Sequence, residues 1–392
     1  MYTVDNFING TANTVSNESS LIIDPSYGKD IGKVLYATTD SADLAIESAK
    51  QAFENWSQTG LSYRAELILK FRQGVIDKSN EIIDICITEA GKTRPDAEAE
   101  LDRAIQALTN ASAVQHFYPS HLSPNVAGGI DIADRRYPIG VIAGVGPFNF
   151  PILIPILHSA MALVTGNTYI AKPSEKVPSI SRLYADIYKE SGLPDGCYNV
   201  VNGSKEIVEH LVCHKDIAGL AFIGSTVAAR SLKMLGVEHN TKVQALGGGK
   251  NHMIVLPDAD LDMSADAAVS ASFGAAGQRC MAVSVVVAVG DIADDLINKI
   301  KERMPNLVMG KTDNNDTQLG PVISMENKER IYSFIDVAQS EGATLSVDGR
   351  KLSDGKEGCF VGPTLIDNVK PGMSVYENEI FGPVLCFVRA KT

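Results

Sequence analysis

Residues 139–151 read Ile-Gly-Val-Ile-Ala-Gly-Val-Gly-Pro-Phe-Asn-Phe-Pro. The run is apolar as far as Val145 and is then punctuated by Gly146, Pro147 and Pro151. A short apolar run bounded by such breakers predicts a strand buried on both faces, at 139–145, with a helix following from 151. The unit recurs. Strands at 168–172, 197–201, 219–223 and 241–245 alternate with helical stretches at 151–165, 178–191, 204–213 and 226–236. This rhythm predicts a parallel sheet in a doubly wound α/β domain.

Upstream, residues 1–36 read as short strands and turns, with Asn9-Gly10 as a hairpin turn. A helix is predicted over 40–56, capped by Asp40 or Ser41, with Leu44, Ala45, Ala49, Ala52 and Phe53 on its apolar face. Further helix is expected over 62–90 and 95–117. Pro119, Pro124 and Gly128-Gly129 then break the pattern, and 130–137 reads as an extended arm. Downstream, a second α/β alternation places strands at 252–256, 282–289, 343–347 and 384–388 and helices at 262–276, 291–303 and 326–341.

The 392 residues call for two or three domains. A net charge of −12 argues against nucleic acid as the main partner, although a few local cations can still bind an anionic substrate. The N-terminus lacks a basic segment leading into an apolar run, and no apolar stretch reaches membrane-spanning length, so neither a signal peptide nor a membrane partner is expected. The six cysteines are scattered without a C-x-x-C pair and the seven histidines show no ligand spacing. The expectation is a reduced, cytoplasmic chain with no metal site.

Four stretches could carry chemistry. In Phe273-Gly-Ala-Ala-Gly-Gln-Arg-Cys280, small residues allow close approach and Arg279 favours a thiolate at Cys280; the plainer alternative is a core cysteine. Gly146-Pro-Phe-Asn-Phe-Pro151 ends a parallel strand, where ligands bind in α/β folds; Asn149 could donate to an oxyanion there or simply cap a helix. Lys172-Pro-Ser-Glu-Lys176 could hold ribose hydroxyls or be a solvated loop. At Gly224-Ser225-Thr226, Ser225 and the N–H groups of a helix start could bind a phosphate or form an ordinary cap. Gly247-Gly-Gly-Lys250 is not a phosphate loop, because Asn251 stands where Ser or Thr is needed.

Together and in this order the motifs resemble the aldehyde dehydrogenase superfamily, most closely its CoA-acylating methylmalonate-semialdehyde dehydrogenase branch. The resemblance runs from Phe7-Ile-Asn-Gly10 to Glu379-Ile-Phe-Gly-Pro-Val384. It implies an NAD-binding domain over 1–119 and 139–246, an oligomerisation arm over 120–138 and a catalytic domain over 247–392. By resemblance Cys280 is the nucleophile, and the Asn149 side chain with the Cys280 N–H forms the oxyanion hole. Gly146, Phe148, Lys172, Glu175, Lys176, Ser225, Gly247 and Glu379 would contact NAD, and Arg103 and Arg279 would hold a substrate carboxylate. Arg103 has an alternative as a helix-surface ion pair with Asp96 or Glu100. Leu246 stands where hydrolytic members carry the glutamate that activates water, and a leucine cannot take a proton. The implied acceptor is coenzyme A, and the implied reaction turns methylmalonate or malonate semialdehyde into propionyl-CoA or acetyl-CoA, in valine or inositol breakdown. A hydrolytic dehydrogenase and a catalytically silent NAD-binding protein are the alternatives. The family is homo-oligomeric, with chain beyond the Glu379 motif pairing with the arm. The expectation is therefore that these 392 residues alone associate poorly and have little activity.

Overall fold

The computed structural model describes residues 1–117, 120–353 and 355–392. These fall into two units. One comprises Met1–Ile22, Gly32–Ile85 and Ala99–Gly247; the other comprises Ile23–Ile31, Cys86–Glu98 and Gly248–Thr392.

The first unit is built on a seven-stranded sheet. Its order is Lys242–Leu246, Ile217–Ile223, Val141–Val145, Thr168–Lys172, Tyr198–Val200, Asn6–Ile8 and Thr11–Asn13. The first five strands are parallel, as their apolar character predicts. The last two form an antiparallel hairpin that joins the parallel edge where Val200 pairs with Phe7. Sequence reading identifies that hairpin but not its place in this sheet. Its turn is Asn9-Gly10, both at positive φ (48° and 74°), the geometry that favours this dipeptide.

Helices Leu153–Val164, Ser179–Glu190, Lys205–Cys213 and Thr226–Glu238 form the crossovers. The sheet residues Ala143, Ile170 and Leu220 share a core with Ala42, Ala45, Ile46 and Ala49 of helix Thr39–Trp56. Two details of that helix differ from expectation. Thr38, not Asp40 or Ser41, is the cap, its hydroxyl accepting from the Ser41 N–H at 3.1 Å. Leu44 is exposed, because the buried face runs through Ala42, Ala45, Ile46 and Ala49.

The helix expected over 62–90 is two, Leu61–Asp77 and Ser79–Ala90, and the next stretch divides into Arg94–Ser112 and Val114–Phe117. Pro119 lies outside the described residues. The arm is a two-stranded antiparallel sheet, Leu122–Ala127 with Ile130–Ala133, turning at Gly128-Gly129. Pro124 sits within its first strand and does not break it, which an edge position tolerates.

The second unit carries a five-stranded sheet in the order Asn251–Val255, Val283–Val289, Val384–Ala390, Thr364–Asp367 and Thr344–Val347, with only the last pairing antiparallel. Successive side chains point to opposite faces, so two cores form. Val285, Ile366 and Cys386 pack with Ile331 and Ile335 on one face. Val286, Leu365, Leu385 and Phe387 pack with Val269, Phe273, Leu296 and Ile300 on the other. The strand Thr364–Asp367 has no counterpart in the sequence reading, since four residues after Gly362-Pro363 show too little periodicity. The helix expected over 262–276 is Leu261–Phe273. No described helix is long and apolar enough to cross a membrane.

Candidate active site

In the first unit the five parallel strands lie in an order that reverses direction at Val141–Val145. That strand sits between Ile217–Ile223 on one side and Thr168–Lys172 on the other. At such a switch point the loops beyond the carboxyl ends of neighbouring strands diverge and leave a crevice. The two loops here are Gly146–Pro151 and Gly224–Ser225. Beside Gly224, Leu246 ends the adjacent strand and its carbonyl accepts the Gly224 N–H at 3.1 Å. Gly247 lies against Thr226, where a Cβ would come within 3.0 Å of the Thr226 Cα. Gly146, Phe148, Asn149, Ser225 and Gly247 are thus brought to one edge of one sheet, and Lys172, Glu175 and Lys176 follow the next strand along it.

The side chains there are specific in their bonding. The Lys172 ammonium is buried and donates to the Gly203 carbonyl at 3.0 Å, with the Glu175 carboxylate 3.8 Å away. Burial pushes its pKa down, and Glu175 opposes the shift. It is therefore not the side chain of a solvated loop. Ser225 caps helix Thr226–Glu238, accepting from the Ala228 N–H at 3.3 Å. That bond leaves the hydroxyl proton available as a donor. A capped helix N-terminus next to a glycine suits a phosphate group, and a buried lysine beside a partly exposed glutamate at the next strand end suits ribose hydroxyls. The residues fit a dinucleotide.

Asn149 is buried, and it is not the cap of the helix that follows. The orphan N–H groups of Ile152 and Leu153 both donate, at 2.8 Å, to Glu100 Oε1. Glu100 is buried, and sequence reading considered it only as a partner of Arg103. Arg103 itself is exposed and donates to Gln106 Oε1 at 3.5 Å. Neither expected partner holds it: in the first unit Glu100 caps a helix, and in the second Asp96 pairs with Arg279.

In the second unit helix Leu261–Phe273 stops, and the chain enters a left-handed turn. Ala275 and Ala276 have φ of 50° and 53°, and Gly277 has φ of 68°. An L-residue in this region costs roughly 1–2 kcal/mol, so surrounding contacts must hold the two alanines there. Three contacts do so. The Ala275 N–H donates to Asp96 Oδ2 at 3.2 Å, the buried Gln278 side chain accepts the Ile323 N–H at 3.0 Å, and Gly277 lies so close to Gly382 that a Cβ would fall 2.2 Å from its carbonyl oxygen. Arg279 pairs with Asp96, and its guanidinium crosses above Gly274, where a Cβ would approach Nη1 to 2.8 Å.

The turn delivers Cys280, which is exposed. Cys86, Cys197, Cys359 and Cys386 are buried, and Cys213 is intermediate. Burial pushes the Cys197 and Cys386 thiols up to about 12 and about 11, and it raises Cys213 as well, where Glu209 and Glu238 add to the shift. These thiols are poor nucleophiles at neutral pH.

Glu379 and Arg279 line the same cleft of the second unit. The Glu379 carboxyl is raised chiefly by burial, opposed by the Gly249 N–H and by the cations Lys250 and Arg330. Lys250 donates to the neighbouring Asn378 carbonyl at 2.8 Å, and Arg330 donates to the Ile380 carbonyl at 2.5 Å, so the Glu379 segment is held from two sides. Among the described residues no group of three or more His, Cys, Asp or Glu is arranged to hold a metal ion.

The sequence profile of the aldehyde dehydrogenase family matches residues 13–392. The chain is 39% identical over 391 residues to malonate-semialdehyde dehydrogenase 3 of Geobacillus kaustophilus, covering 99% of this chain and 81% of that protein. A crystal structure of methylmalonate-semialdehyde dehydrogenase from Oceanimonas doudoroffii superposes with a TM-score of 0.98 at 39% identity, over 100% of this chain and 81% of that one. A methylmalonate-semialdehyde dehydrogenase-like structure from Sinorhizobium meliloti, complexed with NAD, gives 0.97 at 40% identity, with the same coverage.

Proposed function

The chain belongs to the aldehyde dehydrogenase family and is an NAD-dependent aldehyde dehydrogenase; from that premise we propose that it oxidises malonate or methylmalonate semialdehyde and passes the acyl group to coenzyme A. The observation that carries the acyl-transfer reading is Leu246, which ends its strand at the crevice edge where hydrolytic members of the family place a general base. The names of the relatives from Geobacillus and Oceanimonas support the substrate class.

In this reading Cys280 Sγ, as thiolate, attacks the aldehyde carbon, and the carbonyl π electrons move to oxygen. The Asn149 amide and the Cys280 N–H donate to that oxyanion. NAD, when bound, would supply the hydride acceptor, and loss of hydride from the same carbon leaves an acyl thioester on Sγ. Lys172, Glu175, Lys176 and Ser225 hold the adenosine and pyrophosphate end, with Gly146, Phe148 and Gly247 bordering the groove. Glu379 holds the nicotinamide ribose. Arg103 and Arg279 receive the substrate carboxylate, which leaves as CO₂ while the adjacent carbon takes a proton. The thiol of coenzyme A then attacks the thioester carbon and Cys280 leaves as thiolate. A leucine at 246 gives water no base, so the thioester waits for the stronger nucleophile.

The arm over 120–138 would serve a homo-oligomer, and 247–392 would form the catalytic domain. The test is NADH formation from malonate semialdehyde with and without coenzyme A, with the acyl product identified by mass spectrometry. Acetyl-CoA as product supports the reading. Rapid turnover to a free acid without coenzyme A overturns it.

A further inference from the structure

Asp96 lies in the first turn of helix Arg94–Ser112, and its side chain is only 16% exposed. Three donors converge on its carboxylate. Thr93 Oγ1 donates to Oδ2 at 3.0 Å, the Ala275 N–H donates to the same oxygen at 3.2 Å, and Arg279 Nη2 donates to Oδ1. One carboxylate therefore addresses both ends of the segment Ala275–Arg279. One oxygen holds the first left-handed residue of the turn, and the other holds the guanidinium that immediately precedes Cys280. Among the described residues the only side-chain hydrogen bond from Arg279 uses Nη2, so Nη1 and Nε remain as donors in a direction that the pair fixes.

We propose that Asp96 is a positioning residue for the reaction: its carboxylate builds the left-handed turn that presents Cys280 and sets the direction in which Arg279 offers its remaining donors to a substrate carboxylate. The proposal rests on the reading of Cys280 as nucleophile. It separates two roles within one side chain. A neutral acceptor can serve the Ala275 N–H as well as a carboxylate does, whereas the guanidinium is held about twice as strongly by a carboxylate as by a neutral amide.

The experiment uses the full chain, with propanal and malonate semialdehyde as substrates and iodoacetamide alkylation of Cys280 followed by mass spectrometry. For Asp96→Ala, the alkylation rate and the kcat for propanal should each fall about tenfold. For Asp96→Asn, which still accepts from Ala275, both should return to within about threefold of the parent, while the KM for malonate semialdehyde stays raised about tenfold and that for propanal does not. An Asp96→Ala chain that melts cooperatively and keeps parental alkylation and kcat overturns the proposal. If Asp96→Ala does not fold, Asp96→Asn decides, and equal KM values for both substrates relative to the parent overturn it. Cys280→Ala is run alongside. NADH formation by that variant would remove the nucleophile reading itself, whereas its silence beside unaffected Asp96 variants would remove only the positioning role.

Discussion

The side-chain amide of Asn251 donates to the carbonyl of Cys280 at 2.9 Å and to that of Ala282 at the same distance. Both carbonyls belong to the bend between the left-handed turn and the strand Val283–Val289, so one planar amide fixes the chain on the far side of the thiol. Cys280 remains exposed while its backbone is pinned. In the proposed reaction a backbone held this way limits the reorganisation that precedes attack by Sγ. Replacing Asn251 by Ala should lower kcat by about tenfold and leave the KM for NAD unchanged, as measured by NADH absorbance. Parental kcat in that variant would show that the two hydrogen bonds are dispensable.

Cys280→Ala should remove at least about a thousandfold of the dehydrogenase rate while NAD binding, followed by protein fluorescence quenching, persists. The other five cysteines are buried or partly buried, so their replacement by Ser or Ala should act through stability and not through loss of the nucleophile. Turnover retained in Cys280→Ala would count against the central assignment.

Leu246→Glu should shift the product balance from acyl-CoA toward free acid, and the parent should give a burst of NADH followed by slow turnover when coenzyme A is omitted. Leu246 is half exposed (50%), so a carboxylate there keeps partial solvation and need not disrupt the core. Stopped-flow absorbance with product analysis checks both statements, and an unchanged product ratio would argue that another group activates water.

Gly277→Ala should destabilise the second unit and slow Cys280 alkylation. The added Cβ meets Gly382 backbone at 2.2 Å from oxygen and 2.4 Å from carbon, and the position already has φ of 68°. Neither partner can rotate away, so a loss of about 2 kcal/mol or more is expected in urea unfolding.

His158 gives a pH signature. Burial lowers its pKa from 6.5 to about 4, and its Nδ1 has no hydrogen-bond partner among the described residues. The folded chain holds the ring neutral where the unfolded chain protonates it, so the contribution of His158 to folding stability is fully present above pH 6.5 and is lost as pH falls toward 4. The loss totals about 3 kcal/mol at full effect. His158→Gln should flatten the fall in melting temperature between those pH values. A parental pH dependence in that variant would place the acid sensitivity elsewhere.

Much of the fold was legible because its information is local. Apolar runs at 139–145, 168–172 and 219–223, each followed by a helical period, already specify a doubly wound sheet. Strands at Val141–Val145, Thr168–Lys172 and Ile217–Ile223 follow them closely. Asn9-Gly10 announces its own turn through its φ preferences. The exposure of Cys280 among otherwise buried or partly buried cysteines was not legible locally; its Gly, Gln and Arg neighbours mark it only as a candidate, and the resemblance supplies its role.

Distant partners were decided only in three dimensions. Glu100 caps a helix 52 residues away, Asp96 receives a backbone N–H 179 residues away, and Phe7 meets Val200 across a sheet edge. The helix expected through residue 276 ends at Phe273 because such contacts hold two alanines in a left-handed conformation that their own chemistry disfavours. Periodicity and turn preference act over a few residues and can be read along the chain. Which buried donor meets which acceptor depends on how the elements pack, and that is settled only when the tertiary structure forms.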